Sequence, residues 1–243
     1  MTDAIYVPPP PPPQPPPPPV PPAGTASFDF AKPFTFIFDD PRWINKVLIG
    51  GLFYLLAFMI VGVFFILGYM ARLARNVIAG MPHPLPEWDD LGEYFSEGLR
   101  LFAVAIVWML PIFAVVGMFL IPTIIASEIN NEAFEHIGGC AIGAMWCLIF
   151  PLGLAVTFFL PAAMLMAVVE RRFGAAFEIG RIWQFVKANI GDYLLAIVIY
   201  FVARFVGGLG FILLCIGVIF TEFWALLITT HAFAHVYRRS QMR

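Results

Sequence analysis

The chain has 243 residues, of which 60% are hydrophobic and only 12% are charged. An average soluble domain carries about 25% charged residues, so this composition excludes an ordinary water-soluble globule. The formal net charge of -2 gives no electrostatic reason to expect nucleic acid as a partner.

The first 46 residues differ in composition from the rest of the chain. More than half of the 22 prolines lie between positions 8 and 22, and proline has no backbone N–H to donate to a helix or sheet. Residues 1–27 are therefore predicted to form a disordered, extended proline-rich tail, either a spacer or a docking peptide for an aromatic-lined groove. Residues 28–46 are rich in aromatic side chains and interrupted by Pro33. We interpret them as an interfacial segment that approaches the membrane.

Long apolar runs occupy most of the remaining sequence. Residues 47–71, 101–127 and 137–169 contain no Asp, Glu, Lys or Arg, and each run exceeds the ~20 residues that cross a bilayer as a helix. A further apolar region, 193–237, is long enough for two crossings. Three glycines near its middle favour a turn between predicted helices at 191–206 and 211–237; they are Gly207, Gly208 and Gly210. These runs predict an all-α, polytopic transmembrane helix bundle with five crossings between residues 47 and 239.

The positions of Lys and Arg predict which loops share a side of the membrane. The loop at 128–136 contains three glutamates and no cation, whereas the other loops and the C-terminus contain arginine. By the positive-inside rule, the C-terminus is cytoplasmic in a multi-pass protein of the cell membrane. We favour a single crossing for residues 47–71, because a 25-residue helix needs no further assumption. A bend near Gly62 is the alternative, and it would keep the N-terminal cations with the others.

Residues 173–190 have the pattern of an amphipathic helix. Polar residues recur at every third position from Glu178 to Lys187, and apolar residues including Trp183 share one face. We predict an interfacial helix that lies on the cytoplasmic surface of the bilayer. The alternative is a soluble connecting helix packed on the bundle.

The loop after the first apolar run combines acidic and aromatic side chains, namely Glu87, Trp88, Asp89 and Asp90. Acidic groups stabilise the first turn of a helix, and tryptophan is enriched at the level of lipid headgroups. We therefore interpret this segment as a loop that contacts headgroups or a protein partner, with Tyr94 also at headgroup level. A divalent-cation site is the alternative, although no EF-hand spacing of ligands is present.

Three segments of the chain resemble a known family. They read GYMARLARNVIAG (68–80), LPEWDDLGEYFSEGLRLF (85–102) and GRIWQFVKANIGDYLLA (180–196). The chain resembles, over about residues 40–240, a prokaryotic membrane family known as domain of unknown function 4013. The resemblance implies a multi-pass helical fold and no assigned activity, so it supplies no catalytic residue.

Two ionisable residues, Arg204 and Glu222, interrupt the last apolar region. Counted from Asp192 and Arg238 they lie roughly 18 and 24 Å along their helices, hence at similar depth. Because a charge inside a membrane usually has a partner, we predict a structural ion pair. The alternatives are that Arg204 extends to the headgroups or that both residues form a transport site.

His231 and His235 are spaced i, i+4 and so share a helix face. This spacing is a weak candidate for a metal site, because further ligands must converge on it. No HExxH pattern is present, so packing histidines are the better interpretation, and the sequence predicts no cofactor.

No motif of an enzyme is visible, because the sequence lacks a nucleophile elbow and a phosphate-binding loop. The leading hypothesis is a non-enzymatic structural, accessory or scaffold subunit of a membrane assembly. Its partners would be the lipid bilayer and other membrane protein subunits. The alternative is a small-solute or lipid transporter that uses Arg204 and Glu222.

Overall fold

The computed structural model describes residues 29–127, 132–212 and 217–242, with side chains omitted for residues 126–127 and 132–139. All regular elements in these ranges are helices. They are α1 (Lys32–Thr35), α2 (Trp43–Leu56), α3 (Val61–Ala79), α4 (Leu91–Ser127), α5 (Glu132–Glu170), α6 (Ile179–Ala188), α7 (Ile190–Leu209) and α8 (Gly217–Ser240). The proline-rich tail predicted at 1–27 lies outside the described residues, as do residues 128–131 of the predicted 128–136 loop, whereas residues 132–136 belong to α5.

Within the described ranges, five helical segments are long and apolar enough to cross a membrane. They are Val61–Ala79, Leu91–Ile125, Cys140–Glu170, Ile190–Ile212 and Gly217–Ser240. A further pair of segments, Lys32–Asp39 and Trp43–Met59, passes the same test together but is bent by 110°. The predicted fold class, an all-α bundle with five helices of spanning length, is confirmed.

The first apolar run is divided between two helices, so the prediction of one continuous helix at 47–71 is wrong. The helix α2 ends at Leu56, a 3-10 turn follows, Ile60 adopts a positive φ of 65°, and α3 begins at Val61. A Cβ atom on Gly62 would overlap the backbone carbonyl of Phe53. The absence of a side chain at Gly62 therefore allows α3 to fold back tightly against α2, as in the alternative prediction.

This hairpin brings the N-terminal cations to the same end of the bundle as the other charged groups. Arg42 binds Glu87 at 2.7 Å, and Arg239 binds Asp192 at 3.1 Å. These contacts join elements that are far apart in sequence. We call this end of the bundle the charged end. The helices α2, α4 and α7 begin there, and α3, α5 and α8 end there.

The helix α3 lies at the centre of the bundle and packs along α4 and α8. Its contact with α4 is made by backbone on both sides, because a Cβ on Gly68 would overlap the Tyr94 carbonyl and a Cβ on Gly98 the Phe64 carbonyl. Large aromatic side chains fill the space around this contact, with Tyr69 and Tyr94 fully buried. The core is therefore concentrated near the charged end.

The helices α4 and α5 extend further from the charged end than the others do. With 37 and 39 residues and a rise of 1.5 Å per residue, each is roughly 55 Å long, whereas the 20 residues of α7 span about 30 Å. Both helices continue through their internal prolines, which include Pro111 and Pro161. In the described part of the chain, nearly all side chains in their far halves are exposed or only half-buried.

The turn predicted at Gly207 and Gly208 is displaced, because both residues belong to α7. The described part of α7 ends at Leu209 and is followed by a 3-10 turn from Gly210 to Ile212. Gly207 instead permits close packing of α7 on α8, since the Thr221 hydroxyl donates to its carbonyl at 2.7 Å. The predicted helix at 191–206 was thus too short.

The amphipathic segment at 173–190 is shorter as a helix than predicted. A 3-10 turn occupies Phe173–Phe177, and α6 ends at Ala188, one residue before the bend at Asn189. Within α6, Ile182 and Val186 are buried against the bundle, whereas Trp183 remains 53% exposed. The helix therefore combines packing on the bundle with an outward apolar flank, and its location at a membrane surface stays a prediction.

Candidate functional site

The acidic-aromatic loop is anchored to α2 by a buried lysine. The Lys46 side chain is 6% exposed, and its Nζ lies 2.6 Å from Asp40 Oδ2 and 2.7 Å from Glu87 Oε1. Nζ also donates to the carbonyl of Leu85 at 2.9 Å. Sequence reasoning missed this centre, although Lys46 is the last cation before a 25-residue apolar run.

The Trp88 ring is half-buried and packs against aromatic rings of α2 and α3. Its ring stacks between those of Phe53 and Tyr69, with centroids 4.8 and 4.2 Å away. Its Nε1 donates to the Lys46 carbonyl at 3.0 Å. Tyr94 is fully buried, and its hydroxyl donates to the Glu87 carbonyl. The expectation that Tyr94 faces the headgroups is therefore wrong, because its ring is enclosed in the protein. For Trp88, which is half-buried, a position at headgroup level stays a prediction.

The acidic groups of the loop serve different partners. Asp90 caps α4, since its Oδ1 accepts the backbone N–H of Glu93 at 3.0 Å. Glu87 faces Lys46 and Arg42, and Asp89 is exposed. Among the residues that the structure describes, no three His, Cys, Asp or Glu side chains are placed to hold a metal ion together. The geometry does not favour the cation alternative.

An arginine–glutamate cluster joins α3, α4 and α5 at the charged end. Arg72 binds Glu93 at 2.5 Å, and Arg75 binds Glu97 through two hydrogen bonds of 2.9 and 2.6 Å. Arg171 reaches Glu93 at 3.4 Å. Sequence reasoning used these arginines only as topology markers. Glu93 and Glu97 are spaced i, i+4, and Arg72 and Arg75 are three residues apart, so each pair shares one helix face. This spacing was the sequence signal for ion pairs between the two helices.

The structure brings Arg204 of α7 and Glu222 of α8 into contact through a charge-assisted hydrogen bond. The Glu222 side chain is 11% exposed and that of Arg204 is 42% exposed. Tyr54 of α2 lies beside both groups. The pair therefore connects α7 with α8, and its guanidinium group also reaches the outside of the bundle.

We expect Arg204→Glu to lower the free energy of unfolding by about 2 kcal/mol or more, because a second carboxylate would face the largely buried Glu222. The double variant Arg204→Glu/Glu222→Arg should regain most of this loss. Titration with SDS in mixed micelles measures both values. Equal loss in the single and the double variant would contradict a stabilising pair.

His231 and His235 lie one turn apart on α8, and their rings stack with centroids 6.2 Å apart. The His231 ring also stacks on Phe36 at 4.2 Å and is 5% exposed. Its Nδ1 has no hydrogen-bond partner among the described residues. The geometry is that of histidines packed in an aromatic core.

Among the described residues, two of the spaces between the helices exceed 200 Å³. One, of about 230 Å³, lies between α3, α5 and α8, and another, of about 270 Å³, lies between α4, α5 and the start of α6. Their walls are almost entirely apolar, and neither wall includes Arg204 or Glu222. Neither cavity therefore offers a polar path to the ion pair.

Comparison with known proteins places this geometry in a family. No curated protein matches the chain, and no solved structure does. The family model described as "Protein of unknown function (DUF4013)" matches residues 51–238, which confirms the resemblance found in the sequence. The matched range runs from the middle of α2 to within two residues of the end of α8 and so includes the loop, the arginine–glutamate cluster and the ion pair. The chain belongs to the DUF4013 family.

Proposed function

We propose that this protein is a non-enzymatic accessory or scaffold subunit of a membrane assembly, which holds partner helices against the far halves of α4 and α5. The observation that carries the proposal is the uncovered apolar surface of this helix pair. Met118, Ile121 and Phe150 are 72%, 59% and 69% exposed.

The length of α4 distinguishes this surface from ordinary lipid-facing sides. From Arg100 to Ser127 the helix extends about 40 Å, whereas the hydrocarbon core of a bilayer is about 30 Å thick. From Asp192 to Leu209, α7 extends only about 25 Å. An apolar helix that is longer than the hydrocarbon core is accommodated by tilting or by association with other helices. A partner helix would cover the part of α4 that exceeds the thickness of the hydrocarbon core.

The surface of α5 also has a feature that favours helix association. Gly139 and Gly143 form a G-x-x-x-G spacing, and small residues let transmembrane helices approach closely. In the described part of the chain, no heavy atom lies within 4 Å of the Cβ position at Gly143. A helix from another subunit therefore has room to pack there.

The transporter alternative has less support from the geometry. Transport of a polar solute needs a path lined by polar groups, and substrate sites in transporters lie at discontinuous helices near the midplane. The two cavities described above are apolar and do not reach Arg204 or Glu222. The ion pair is better explained as a contact between α7 and α8.

Photo-crosslinking in native membranes tests the scaffold proposal. A benzophenone amino acid replaces Trp146 on α5, and in the matched control it replaces Phe205 on α7, an aromatic residue of similar exposure (61% and 71%). We expect a discrete protein adduct only from position 146, and its loss after Gly143→Leu. Adducts of equal yield at both positions, or none at position 146, would contradict the proposal. The mass of the adduct shows whether the partner is a second copy or another protein.

A further inference from the structure

The apolar cavity of about 230 Å³ is the first element of a second site, which is separate from the far halves of α4 and α5. Met70 and Ala74 of α3, Met164 of α5 and Phe233 of α8 line it. Thr229 also borders the cavity, but its hydroxyl donates to the Ala225 carbonyl of its own helix at 2.8 Å. A buried water needs two to four polar partners, so this space favours hydrocarbon over water.

The cavity lies directly beneath the charged end. Ala71, Leu101 and Val168 line it and also line a small space of about 10 Å³ whose other walls include Arg75, Glu97 and Arg100. Leu101 is adjacent to Arg100, and Val168 precedes Arg171 by three residues, which is less than one helical turn. An apolar chain in the cavity would thus end next to two guanidinium groups.

The arginine–glutamate cluster has an excess of positive charge at this point. Three guanidinium groups, those of Arg72, Arg75 and Arg171, contact the two carboxylates of Glu93 and Glu97. A fourth, that of Arg100, adjoins them through its hydrogen bond to the Arg171 carbonyl. Arg72 and Arg75 hold the short contacts to these carboxylates, whereas Arg171 is 3.4 Å or more away and its side chain is 59% exposed. The neighbouring group of charged side chains has no net charge, because its two arginines, Arg172 and Arg181, bind its two glutamates, Glu170 and Glu178. The excess therefore lies at Arg100 and Arg171.

Arg171 occupies an unusual backbone position for an arginine. It follows the last residue of α5 with a φ of 51°, a left-handed conformation in which glycine or asparagine is favoured. Arg100 Nη1 donates to the Arg171 carbonyl at 3.0 Å and so fixes this conformation. An arginine that is held in a costly conformation at the mouth of a cavity indicates a role for its side chain.

We propose that this site binds one anionic phospholipid, with the phosphate held by Arg100 and Arg171 and part of an acyl chain in the cavity. Guanidinium groups bind phosphate oxygens with paired hydrogen bonds. Basic pockets between transmembrane helices are known to hold anionic headgroups. The lipid would fill the space that α5 leaves against α3 and α8 and would neutralise the excess charge.

Lipid titration of the full chain in a neutral detergent tests this site. Native mass spectrometry compares phosphatidylglycerol with phosphatidylcholine of identical acyl chains. We expect phosphatidylglycerol to bind roughly tenfold more tightly or better, because both lipids offer phosphate oxygens but phosphatidylcholine also carries a quaternary ammonium, which the excess positive charge at Arg100 and Arg171 repels. The variant Arg100→Gln/Arg171→Gly should abolish this preference. Arg171→Gly alone, which suits the positive φ, gives the test if the double variant does not fold.

Two further variants separate the headgroup from the chain. Arg172→Gln/Arg181→Gln removes the same number of charges from the neighbouring balanced group, and it should keep the preference. Ala74→Leu fills the cavity without a change of charge, and it should weaken the binding of both lipids. Equal affinities of the wild type for the two lipids would overturn the proposal. So would unchanged binding by Ala74→Leu, or a rise in melting temperature with glycerol 3-phosphate equal to that with phosphatidylglycerol.

Discussion

Replacement of Gly98 with alanine is expected to force α3 and α4 apart and to lower the free energy of unfolding by about 3 kcal/mol. The added Cβ would overlap the backbone carbonyl of Phe64. A backbone atom moves only with its helix, and α3 is also packed on α8. The overlap therefore outweighs the gain of ~1 kcal/mol that alanine brings to a helix interior over glycine. SDS titration in mixed micelles measures the change.

Gly153→Ala on α5 is the matched control for this substitution. Among the described residues, no heavy atom lies within 4 Å of the Cβ position at Gly153. The same glycine-to-alanine change should therefore stabilise the protein slightly, through helix propensity alone. The two variants should shift stability in opposite directions. A shift of the same sign in both would contradict backbone contact between α3 and α4.

Lys46→Met is the second change with a large expected effect. It removes the cation that faces Asp40, whose side chain is 5% exposed, and leaves that carboxylate buried without a counter-ion. Loss of one partner of a buried ion pair costs about 3–5 kcal/mol. We expect a loss of this size, measured by SDS titration, together with release of the loop that Lys46 holds through Leu85 and Glu87.

Lys32→Met is the control, because Lys32 forms a similar pair with Asp39 at 2.7 Å but both side chains are about half exposed. Exposed pairs contribute at most about 1 kcal/mol, so this variant should remain close to the wild type. Similar losses in Lys46→Met and Lys32→Met would show that burial of the Lys46 pair has no energetic consequence.

The same pair predicts a dependence of stability on pH. Burial raises the pKa of the Asp40 carboxyl, but hydrogen bonds from Lys46 and the Arg42 backbone, with the charge of Lys46, more than offset this, so the pKa is lowered from 3.8. A carboxyl whose pKa is lowered on folding stabilises the protein above its ordinary pKa, and this contribution disappears as the pH falls through the lowered value. The wild type should lose this contribution below about pH 3.8. The stability of Lys46→Met should not show this decrease at low pH.

The Arg204–Glu222 contact shows what can be predicted by counting residues along each helix to find their depth. Both residues were placed at similar depth from the rise of a helix, and they are in contact in the structure. The same counting did not predict the arginine–glutamate cluster or the Lys46 centre. Their members lie on three or more elements, and only the packing of the bundle determines which charges face each other.

The sequence by itself determined the helical class, the number of helices of spanning length and the approximate range of four of them, because a helix that is surrounded by lipid must be long and apolar along its own sequence. Tertiary structure alone decided that the chain reverses at Ile60 and that Tyr94 packs inside. It also decided that Gly68 and Gly98 mark a helix contact. These outcomes depend on which backbone and side-chain atoms meet across helices, and the hydrophobicity of a single segment contains no information about its neighbour.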